Sequence, residues 1–546
     1  VPAPWRGALP ADDTGDDDDA KTPGDAAERD AVIERASAAL GGARAVSSAR
    51  LRREVIERHQ FTWGQSFTPD LPAIESGRTL VQTTIDPARG ELVIESAHAP
   101  AYPYPFPAPF HMREDIDGDG RGYLRGEDDA IDVLRPLMPL RARPMSAARV
   151  AMREKLQLLA SPAEIVAAAR GGALDKGAHV DDIAFTWREL SFTARFDRAS
   201  GRLLRVRTLE DHPLFGDEIV DVSYAEWAPT SLGTIEPARV VHRVDGRVVV
   251  VDRVLLRERK VERPDVPRVP AAVGPARAGL LRAHFMLDWM GYGFPQDDAA
   301  TATKVTFTEV APGIHEIAGA FHNSLAIELD DERLLLVEAP LSTERVDAIF
   351  AALSQRFPKQ RVTAVVQTHW HHDHSAGLRS VVARGIPIYA GALGADLVRT
   401  SAARPRTLWP DALASQPMTP DVRLVDGTGP LVVDGKENRV EIWPLASIHA
   451  RDMLAVYVPK AKLLYVVDVL NPGMATPSAP LRAVLAATVP FVLIKAGAYA
   501  HDVDAFLRTH DVAVIVGGHG DRLATPDDVA ALLPYGDAKA LDAASR

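Results

Sequence analysis

The stretch Thr368-His369-Trp370-His371-His372-Asp373-His374-Ser375-Ala376-Gly377 brings four histidines and one aspartate together within six residues. It follows residues 362–366, an apolar run with the pattern of a buried strand. Loops after such strands often carry functional side chains in α/β domains, because their groups converge on a crevice at the strand ends. His369 and His371 can face one ion from an extended loop, whereas Asp373 and His374 can turn towards a second. Imidazole and carboxylate suit Zn²⁺, with Fe or Mn as alternatives.

The composition of the 546 residues is that of a folded protein, since 46% are hydrophobic and 25% are charged. A chain of this length accommodates about three domains. Lys and Arg number 62 against 74 Asp and Glu, and the formal charge of -12 opposes binding to nucleic acid phosphates. Because there is no Cys, disulfides, thiolate metal ligands, iron–sulfur clusters and a Cys nucleophile are excluded. Any metal ion must be held by His and carboxylate side chains.

Changes in composition divide the chain into four parts. Residues 1–25 are rich in Pro and Asp and predict a disordered acidic tail. Residues 26–263 predict an α+β domain, with a helix before Gly41-Gly42 and then short β-rich stretches separated by turns such as Asp245-Gly246. Prolines mark a linker over residues 264–302. In residues 303–546 strands alternate with helical stretches, which is the order of an α/β domain.

The location of the protein is left open by the sequence. No apolar run is long enough to span a membrane, so we predict no membrane-spanning segment. The chain begins at Val1 rather than Met, which leaves the removal of an N-terminal piece open. Export, to the periplasm or the extracellular space, is the favoured expectation.

The motif formed by His369, His371, Asp373 and His374 resembles the His-x-His-x-Asp-His signature of the metallo-β-lactamase-fold hydrolases. The likeness extends over about residues 303–525. Three further residues stand where this family places ligands, each behind a strand-like apolar run: His449, Asp468 and His519. The resemblance implies an α/β fold class, with a C-terminal four-layer αββα sandwich preceded by an α+β antiparallel-sheet domain.

The same resemblance implies a dinuclear site that binds two Zn ions, with Fe or Mn possible. The first ion would be held by His369, His371 and His449, and the second by Asp373, His374 and His519. Asp468 would bridge the two ions. Two divalent ions, two carboxylates and one hydroxide leave about one positive charge, which would stabilise the oxyanion formed when that hydroxide attacks a carbonyl. Asp373 and Asp468 are therefore the predicted catalytic residues.

The residue type at Asp468 bears on the substrate, because the β-lactam-hydrolysing members of this family generally have Cys or Ser there. We expect a small, apolar acyl substrate with an ester, lactone or thioester carbonyl. Three alternatives remain open: an iron-dependent oxidoreductase similar to the persulfide dioxygenases, a β-lactam hydrolase, and a non-enzymatic ligand-binding protein. Residues 408–420 and 471–481 are expected to line the substrate pocket. His372 is expected either to pack within its own loop or to line that pocket. Four other histidines are expected to be structural: His315, His322, His501 and His510.

The N-terminal half resembles, more loosely, the half-barrel domains of lipoprotein carriers. The likeness rests on residues 192–206, which have the pattern of a hairpin, and on Tyr224 and Trp227. A half-barrel would offer a concave sheet that binds an apolar substrate or docks on the catalytic domain. The other interpretation is an appendage that only stabilises the protein.

The stretch Asp115-Ile116-Asp117-Gly118-Asp119-Gly120 has the pattern that opens a calcium-binding loop. Carboxylates stand at positions one, three and five and Gly at position six, but position twelve is Gly126 rather than Glu. We predict a calcium site at Asp115, Asp117 and Asp119, with an Asp/Gly-rich turn as the alternative.

Overall fold

The structure, a computed structural model, describes residues 21–42, 51–100, 110–126, 143–259, 262–263, 265–266, 276–290, 303–320, 322–470, 482, 490–520 and 522–536. Most of the predicted acidic tail, residues 1–20, lies outside these ranges, as does the predicted pocket loop 471–481. Within them, no helix combines the length and the apolar character needed to cross a membrane.

The N-terminal half is built on one antiparallel sheet of 14 strands. These are β1 (Thr22–Pro23), β2 (Arg52–Thr62), β3 (Ile74–Asp86), β4 (Glu91–Pro100), β5 (Phe110–Ile116), β6 (Gly122–Gly126), β7 (Arg143–Pro144), β8 (Ala173–Lys176), β9 (Val180–Trp187), β10 (Leu190–Asp197), β11 (Leu203–His212), β12 (Gly216–Pro229), β13 (Ile235–Val244) and β14 (Arg247–Arg259). Their order across the sheet is β1-β8-β9-β10-β11-β12-β13-β14-β2-β3-β4-β5-β6-β7. The turn signal Asp245-Gly246 joins β13 to β14, with positive φ angles of 46° and 77° as in a type I′ turn. The predicted antiparallel sheet is confirmed, whereas the half-barrel form stays a prediction.

The described part of this half also contains five α-helices: α1 (Ala26–Ala39), α2 (Ala147–Ala160), α3 (Pro162–Ala168), α4 (Arg277–Leu281) and α5 (Ala283–Met290). The predicted first helix is confirmed, and both of its ends have local causes. Asp25 and Glu28 form a capping box at its start, and it ends before Gly41 and Gly42, whose φ angles are 104° and 95°. Val32 and other buried residues of α1 share a hydrophobic cluster with the sheet.

Helices α4 and α5 lie within the stretch 264–302 that was predicted as a linker. Met286 and Leu287 of α5 share a hydrophobic cluster with Ala148 and Met152 of α2. These two helices therefore pack with the N-terminal half, because their apolar side chains extend its core. The stretches 267–275 and 291–302 on either side of them lie outside the described residues.

The C-terminal half contains two further sheets. The seven-stranded sheet comprises β15 (Thr306–Ala311), β16 (Ile314–Ala318), β17 (Ser324–Glu328), β18 (Arg333–Val337), β19 (Arg361–Val366), β20 (Ile388–Ala390) and β21 (Val422–Leu424). The five-stranded sheet comprises β22 (Leu431–Val433), β23 (Val440–Leu445), β24 (Met453–Val458), β25 (Leu463–Tyr465) and β26 (Val514–Val516). In the seven-stranded sheet, β15 to β18 pair antiparallel, and β18 to β21 pair parallel. In the five-stranded sheet, β22 to β25 pair antiparallel, and β25 and β26 pair parallel. The described helices are α6 (Thr343–Arg356), α7 (His372–Ser375), α8 (Leu378–Val382), α9 (Ala392–Ala403), α10 (Ala412–Ser415), α11 (Pro490–Leu507) and α12 (Pro526–Leu532).

Strand β18 shows how the two C-terminal cores are divided, because successive side chains of a strand point to opposite faces. Leu335 and Val337 join a cluster that includes Ile442 of the second sheet. Leu334 and Leu336 join a cluster with residues of α6, α8 and α9. The mixed α/β class of this half is confirmed. The four-layer αββα order, which would use both cores, stays a prediction.

The predicted calcium loop is a tight hairpin turn between β5 and β6. Asp115 is buried and its Oδ1 lies 2.8 Å from Arg113 Nε. Asp117 Oδ1 accepts hydrogen bonds from the backbone N–H groups of Asp119 and Arg121 at 3.0 and 2.9 Å. Since the sheet and the turn use these carboxylates, the structure does not support calcium at Asp115, Asp117 and Asp119. The pattern misleads because Asp/Gly-rich turns and the start of a calcium loop share it.

Candidate metal centre

The predicted ligands lie where strands of the two C-terminal sheets end. The extended segment after β19 and the short helix α7 carry four of them: His369, His371, Asp373 and His374. Three more follow strands of the second sheet: His449 after β23, Asp468 after β25 and His519 after β26. All seven are buried. The fold therefore brings together residues that are spread over about 150 positions of the chain, as convergence at strand ends predicts.

These seven residues and one further histidine form two groups, within each of which the possible ligand atoms lie within 4.8 Å of one another. The first donor group consists of His369, His371, His449 and Asp468. The second donor group consists of His322, Asp373, His374 and His519. The grouping follows the predicted division between two ions, apart from the addition of His322.

Asp468 lies between the two donor groups. Its Oδ2 is 3.2 Å from His449 Nε2 and 3.1 Å from His374 Nε2. Its Oδ1 is 3.0 Å from His519 Nε2. One carboxylate thus contacts histidines of both groups, which is the position that a bridging ligand requires. The bridging role itself stays a prediction.

The outward ring nitrogens of four histidines are held by the protein. The contacts are His371 Nε2 to the Ser66 carbonyl (3.0 Å), His374 Nδ1 to Glu338 (2.5 Å), His369 Nδ1 to the Thr368 hydroxyl (3.0 Å) and His449 Nδ1 to the Tyr499 hydroxyl (3.1 Å). The opposite nitrogens, His369 Nε2 and His371 Nδ1, are buried without a hydrogen-bond partner among the described residues. Leaving a buried polar atom unpaired costs about 1–3 kcal/mol, which a bound metal ion would offset. The donor set therefore fits transition-metal ions.

Burial and neighbouring charges set the protonation states of the centre. Burial, helped by the neighbouring histidines, lowers the pKa of His371 to about 3 and holds the pKa of His369 well below its usual value. Burial alone would raise the pKa of Asp373 and Asp468, but the charge of His374 outweighs it and both pKa values lie well below their usual range. At neutral pH the two carboxylates are therefore charged and His369 and His371 are neutral. These are the forms that bind metal ions.

Glu338 is a buried part of the centre that sequence reasoning missed. Its Oε1 accepts hydrogen bonds from the backbone N–H and the hydroxyl of Thr368 at 3.0 and 2.6 Å, and its Oε2 accepts one from His374 at 2.5 Å. Its φ of 74° is rare for a residue with a side chain. Glu338 orients His374 directly and His369 through Thr368. The sequence feature that could have pointed to Glu338 is its position, as a charged residue directly after the apolar run 334–337.

His322, which was expected to be structural, lies in the second donor group beside the predicted ligands. Asp373 is ionised and can only accept, so His322 Nε2–H donates to its Oδ2 at 2.9 Å. The His322 ring also lies 4.2 Å from the His519 ring, centroid to centroid. His315, by contrast, contacts Glu328 at 2.9 Å and belongs to neither donor group. No apolar run directly before His322 marks it in the sequence.

The N-terminal half contributes to the centre through the turn after β2. Gln65 Nε2 donates to Asp373 Oδ1 at 2.7 Å, and both side chains are buried. The next residue, Ser66, provides the carbonyl that fixes His371. Asp373 is therefore held on one oxygen by Gln65 and on the other by His322. The N-terminal half therefore contacts the C-terminal half at this position, and whether it binds substrate, docks on that half or only stabilises the protein stays a prediction.

A second contact between the halves involves the start of the predicted pocket loop 408–420. Arg406 Nε lies 2.7 Å from Asp211 Oδ1, and both side chains are buried. The backbone N–H groups of Thr407 and Leu408 donate to the Asp217 carboxylate at 2.9 and 3.1 Å. This end of the loop therefore lies against the N-terminal sheet. Its expected role in a substrate pocket stays a prediction.

Comparison with known proteins gives one family for this region. Residues 318–519 match the family model described as the metallo-beta-lactamase superfamily. A comparison with curated proteins gave no match. Similar solved structures include a metallo-beta-lactamase from Pontibacter korlensis, 16% identical, with 43% of this chain and 100% of that chain covered and a TM-score of 0.32. The DIM-1 metallo-beta-lactamase is 16% identical, with 43% of this chain and 98% of that chain covered and a TM-score of 0.31. TMB-1 is also 16% identical, with 43% and 98% covered and a TM-score of 0.30.

The matched region 318–519 contains every residue of both donor groups. Residues 318–519 are therefore similar to the metallo-beta-lactamase superfamily. The resemblance drawn from the motif is confirmed at the level of the superfamily, whose members are generally metal-dependent hydrolases.

Proposed function

We propose that this protein is a metal-dependent hydrolase whose two donor groups hold a pair of divalent ions, zinc or alternatively Fe or Mn. The observation that carries the proposal is the position of Asp468, whose carboxylate lies within 3.2 Å of histidines from both groups. The buried, unpaired nitrogens of His369 and His371 support it, because an ion would satisfy both.

Seven side chains would hold the ions: His369, His371 and His449 at the first, Asp373, His374 and His519 at the second, and Asp468 at both. When bound, such ions supply an activated water and polarise a carbonyl at neutral pH. The remaining residues of the centre act on these ligands. Glu338 and Thr368 orient two of the histidines, and Gln65 and His322 fix Asp373 from opposite sides. Such outer partners commonly affect metal affinity or activity by about 10- to 100-fold.

The proposed substrate is an acyl compound with an ester, lactone or thioester carbonyl. Asp468 stands where the family resemblance places Cys or Ser in the β-lactam-hydrolysing members, and the chain has no Cys at all. The formal charge of -12 opposes polyanionic substrates such as nucleic acids. A carbonyl that develops negative charge on attack suits a centre that keeps about one net positive charge.

The test is a side-by-side panel of carboxylic esters, lactones, thioesters, a chromogenic β-lactam and a phosphodiester, assayed with zinc-loaded protein. We expect the best acyl substrate to exceed the β-lactam and the phosphodiester by at least about tenfold in kcat/KM. His371→Ala serves as the blank and should lose this activity. His501→Ala, an exposed histidine on α11, is the matched control and should retain it. A β-lactam or phosphodiester as the best substrate would overturn the substrate class, and equal turnover by His371→Ala would overturn the metal-dependent mechanism.

A further inference from the structure

A cavity of about 260 Å³ lies between the N-terminal sheet and the C-terminal domain, apart from the metal centre. Its wall includes Trp63 and Gly64 from the turn after β2, Glu218 from β12, and His372 and Arg404 from the C-terminal domain. None of the seven predicted metal ligands belongs to this wall in the described part of the chain. We call it the interdomain cavity. It has room for a small organic ligand.

Glu218 is the acidic group of this wall that has no hydrogen bond or ion pair among the described residues. Its side chain is buried, with 9% of the residue exposed, yet its carboxyl makes no hydrogen bond or ion pair with any described residue. Burial, reinforced by Asp245 and opposed by Arg404, holds the pKa of Glu218 well above its usual value. Glu210 and Asp211 act in the same direction as Asp245. The surroundings of Glu218 therefore disfavour a further negative charge and favour a positive one.

The other acidic groups of the cavity wall are already neutralised. Their closest contacts are Glu210 to Lys155 at 2.6 Å, Asp211 to Arg406 at 2.7 Å, and Asp245 to Arg404 at 2.5 Å. The remaining charged or titratable groups on the wall are Arg247, His212, His284 and His372. Glu218 is thus the acidic group on the described wall that is left to meet the charge of a ligand.

Aromatic side chains supply much of the remaining wall: Phe61, Trp63, Phe215 and Phe285. The rings of His212 and His372 also take part, each about 5 Å from Phe215, centroid to centroid. Arg247 already places its guanidinium 5.1 Å from the centre of the Trp63 ring. Aromatic faces attract cations, and cages of such rings bind quaternary ammonium groups.

We propose that the interdomain cavity binds a small organic ammonium cation, with Glu218 meeting its charge and the aromatic wall meeting its alkyl groups. The inference does not depend on the metal chemistry, because no proposed metal ligand lines the cavity. A ligand there would touch Trp63 and Gly64, which directly precede the Gln65–Asp373 contact in the chain.

The test is isothermal titration of the full-length protein with three cations: tetramethylammonium, choline and benzyltrimethylammonium. Choline is compared with its uncharged isostere, 3,3-dimethyl-1-butanol, and with the anion 3,3-dimethylbutanoate. We expect choline, or a better cation of the three, to bind at least tenfold more tightly than either isostere. Because burial raises the pKa of Glu218 and a neighbouring cation would lower it, cation binding should be accompanied by proton release. Two buffers with different ionisation enthalpies measure that release.

Glu218→Gln is the decisive variant, since the amide keeps the size of the carboxyl group but can neither become charged nor release a proton. Cation binding should weaken at least tenfold and proton release should disappear. Glu226→Gln, an exposed position on the same strand, is the matched control and should bind as the wild type does. Absence of binding by all three cations, equal binding of the uncharged isostere, preference for the anion, or unchanged binding by Glu218→Gln would each overturn the proposal.

Discussion

Gln65 reaches Asp373 across 308 positions of the chain, and together with the Ser66 carbonyl on His371 this hydrogen bond brings the N-terminal half into the candidate metal centre. The Gln65 amide donates to one carboxylate oxygen and the His322 ring to the other. An ionised, buried carboxylate held on both oxygens keeps a single orientation towards a metal ion. The precision of the centre thus depends on residues outside the ligand motif.

Gln65→Ala is expected to weaken metal binding by about 10- to 100-fold, because Asp373 loses the group that fixes one of its oxygens. The measurement is a competition titration of zinc against a chelator, which reports the affinity of each ion. The matched control is Gln360→Ala, because this amide contacts Glu328 and Asp330, which belong to neither donor group. Equal zinc affinities in folded Gln65→Ala and wild-type protein would exclude the positioning role.

The ends of the strands and the segments that join the two halves decide where the candidate metal centre lies. Asp211, at the end of β11, makes buried ion pairs at this junction. Its carboxylate lies 2.7 Å from Arg406 of the C-terminal half and 2.7 Å from Arg282, between α4 and α5. All three residues are buried. Arg406 also contacts Asp411 at 3.0 Å and Arg282 contacts Glu344 at 3.2 Å, so Asp211 is the carboxylate that the two guanidinium groups share.

Asp211→Asn should destabilise the protein by about 3 kcal/mol, because two buried guanidinium groups lose their shared carboxylate. The measurement is the shift in the free energy of unfolding in urea. Asp396→Asn removes an exposed partner of Arg399 and is the control, with an expected change below about 1 kcal/mol. A change in Asp211→Asn no larger than that of the control would show that the junction does not depend on this pair.

Local patterns were sufficient for many of the elements and for picking out the seven residues that meet in the two donor groups, but not for helices α4 and α5, which lie in the stretch predicted as a linker. The cap at Asp25 and the turn at Asp245-Gly246 act within a few residues, and so does the strand that precedes His369. The contacts of Gln65 and Glu338 could not be predicted in the same way, since their partners are distant in sequence and common residue types carry no mark of them. The calcium site predicted at Asp115 is not supported for the opposite reason, because the same local pattern occurs both in Asp/Gly-rich turns and at the start of calcium loops.

For the molecule as a whole, buried charges in the N-terminal half determine how stability responds to acid. Glu114 contacts Arg149 at 2.6 Å, and Glu210 contacts Lys155 at 2.6 Å. Burial alone would raise the pKa of each carboxyl, but the cationic partners outweigh it and lower both pKa values from 4.5 to about 2. The folded protein therefore binds fewer protons at these sites than the unfolded chain between these values.

Because the folded pKa values lie below the unfolded ones, the stabilisation by Glu114 and Glu210 is present above about pH 5. It should be lost as the pH falls towards about 2, by up to about 3 kcal/mol per carboxyl. Urea unfolding at several pH values measures the slope. Glu114→Gln should be less stable at pH 7 and should show a shallower acid dependence. An identical slope in wild type and variant would mean that this ion pair does not set the acid response.

The central claim is that two donor groups joined by Asp468 hold two metal ions, and the metal content of the full-length protein tests it most directly. Elemental analysis of metal-replete wild-type protein should give about two transition-metal ions per folded chain. His369→Ala should preferentially empty the first donor group and His519→Ala the second, each leaving about one ion. A folded wild-type protein without transition metal, or a His369→Ala/His519→Ala double variant that retains two ions, would contradict the account.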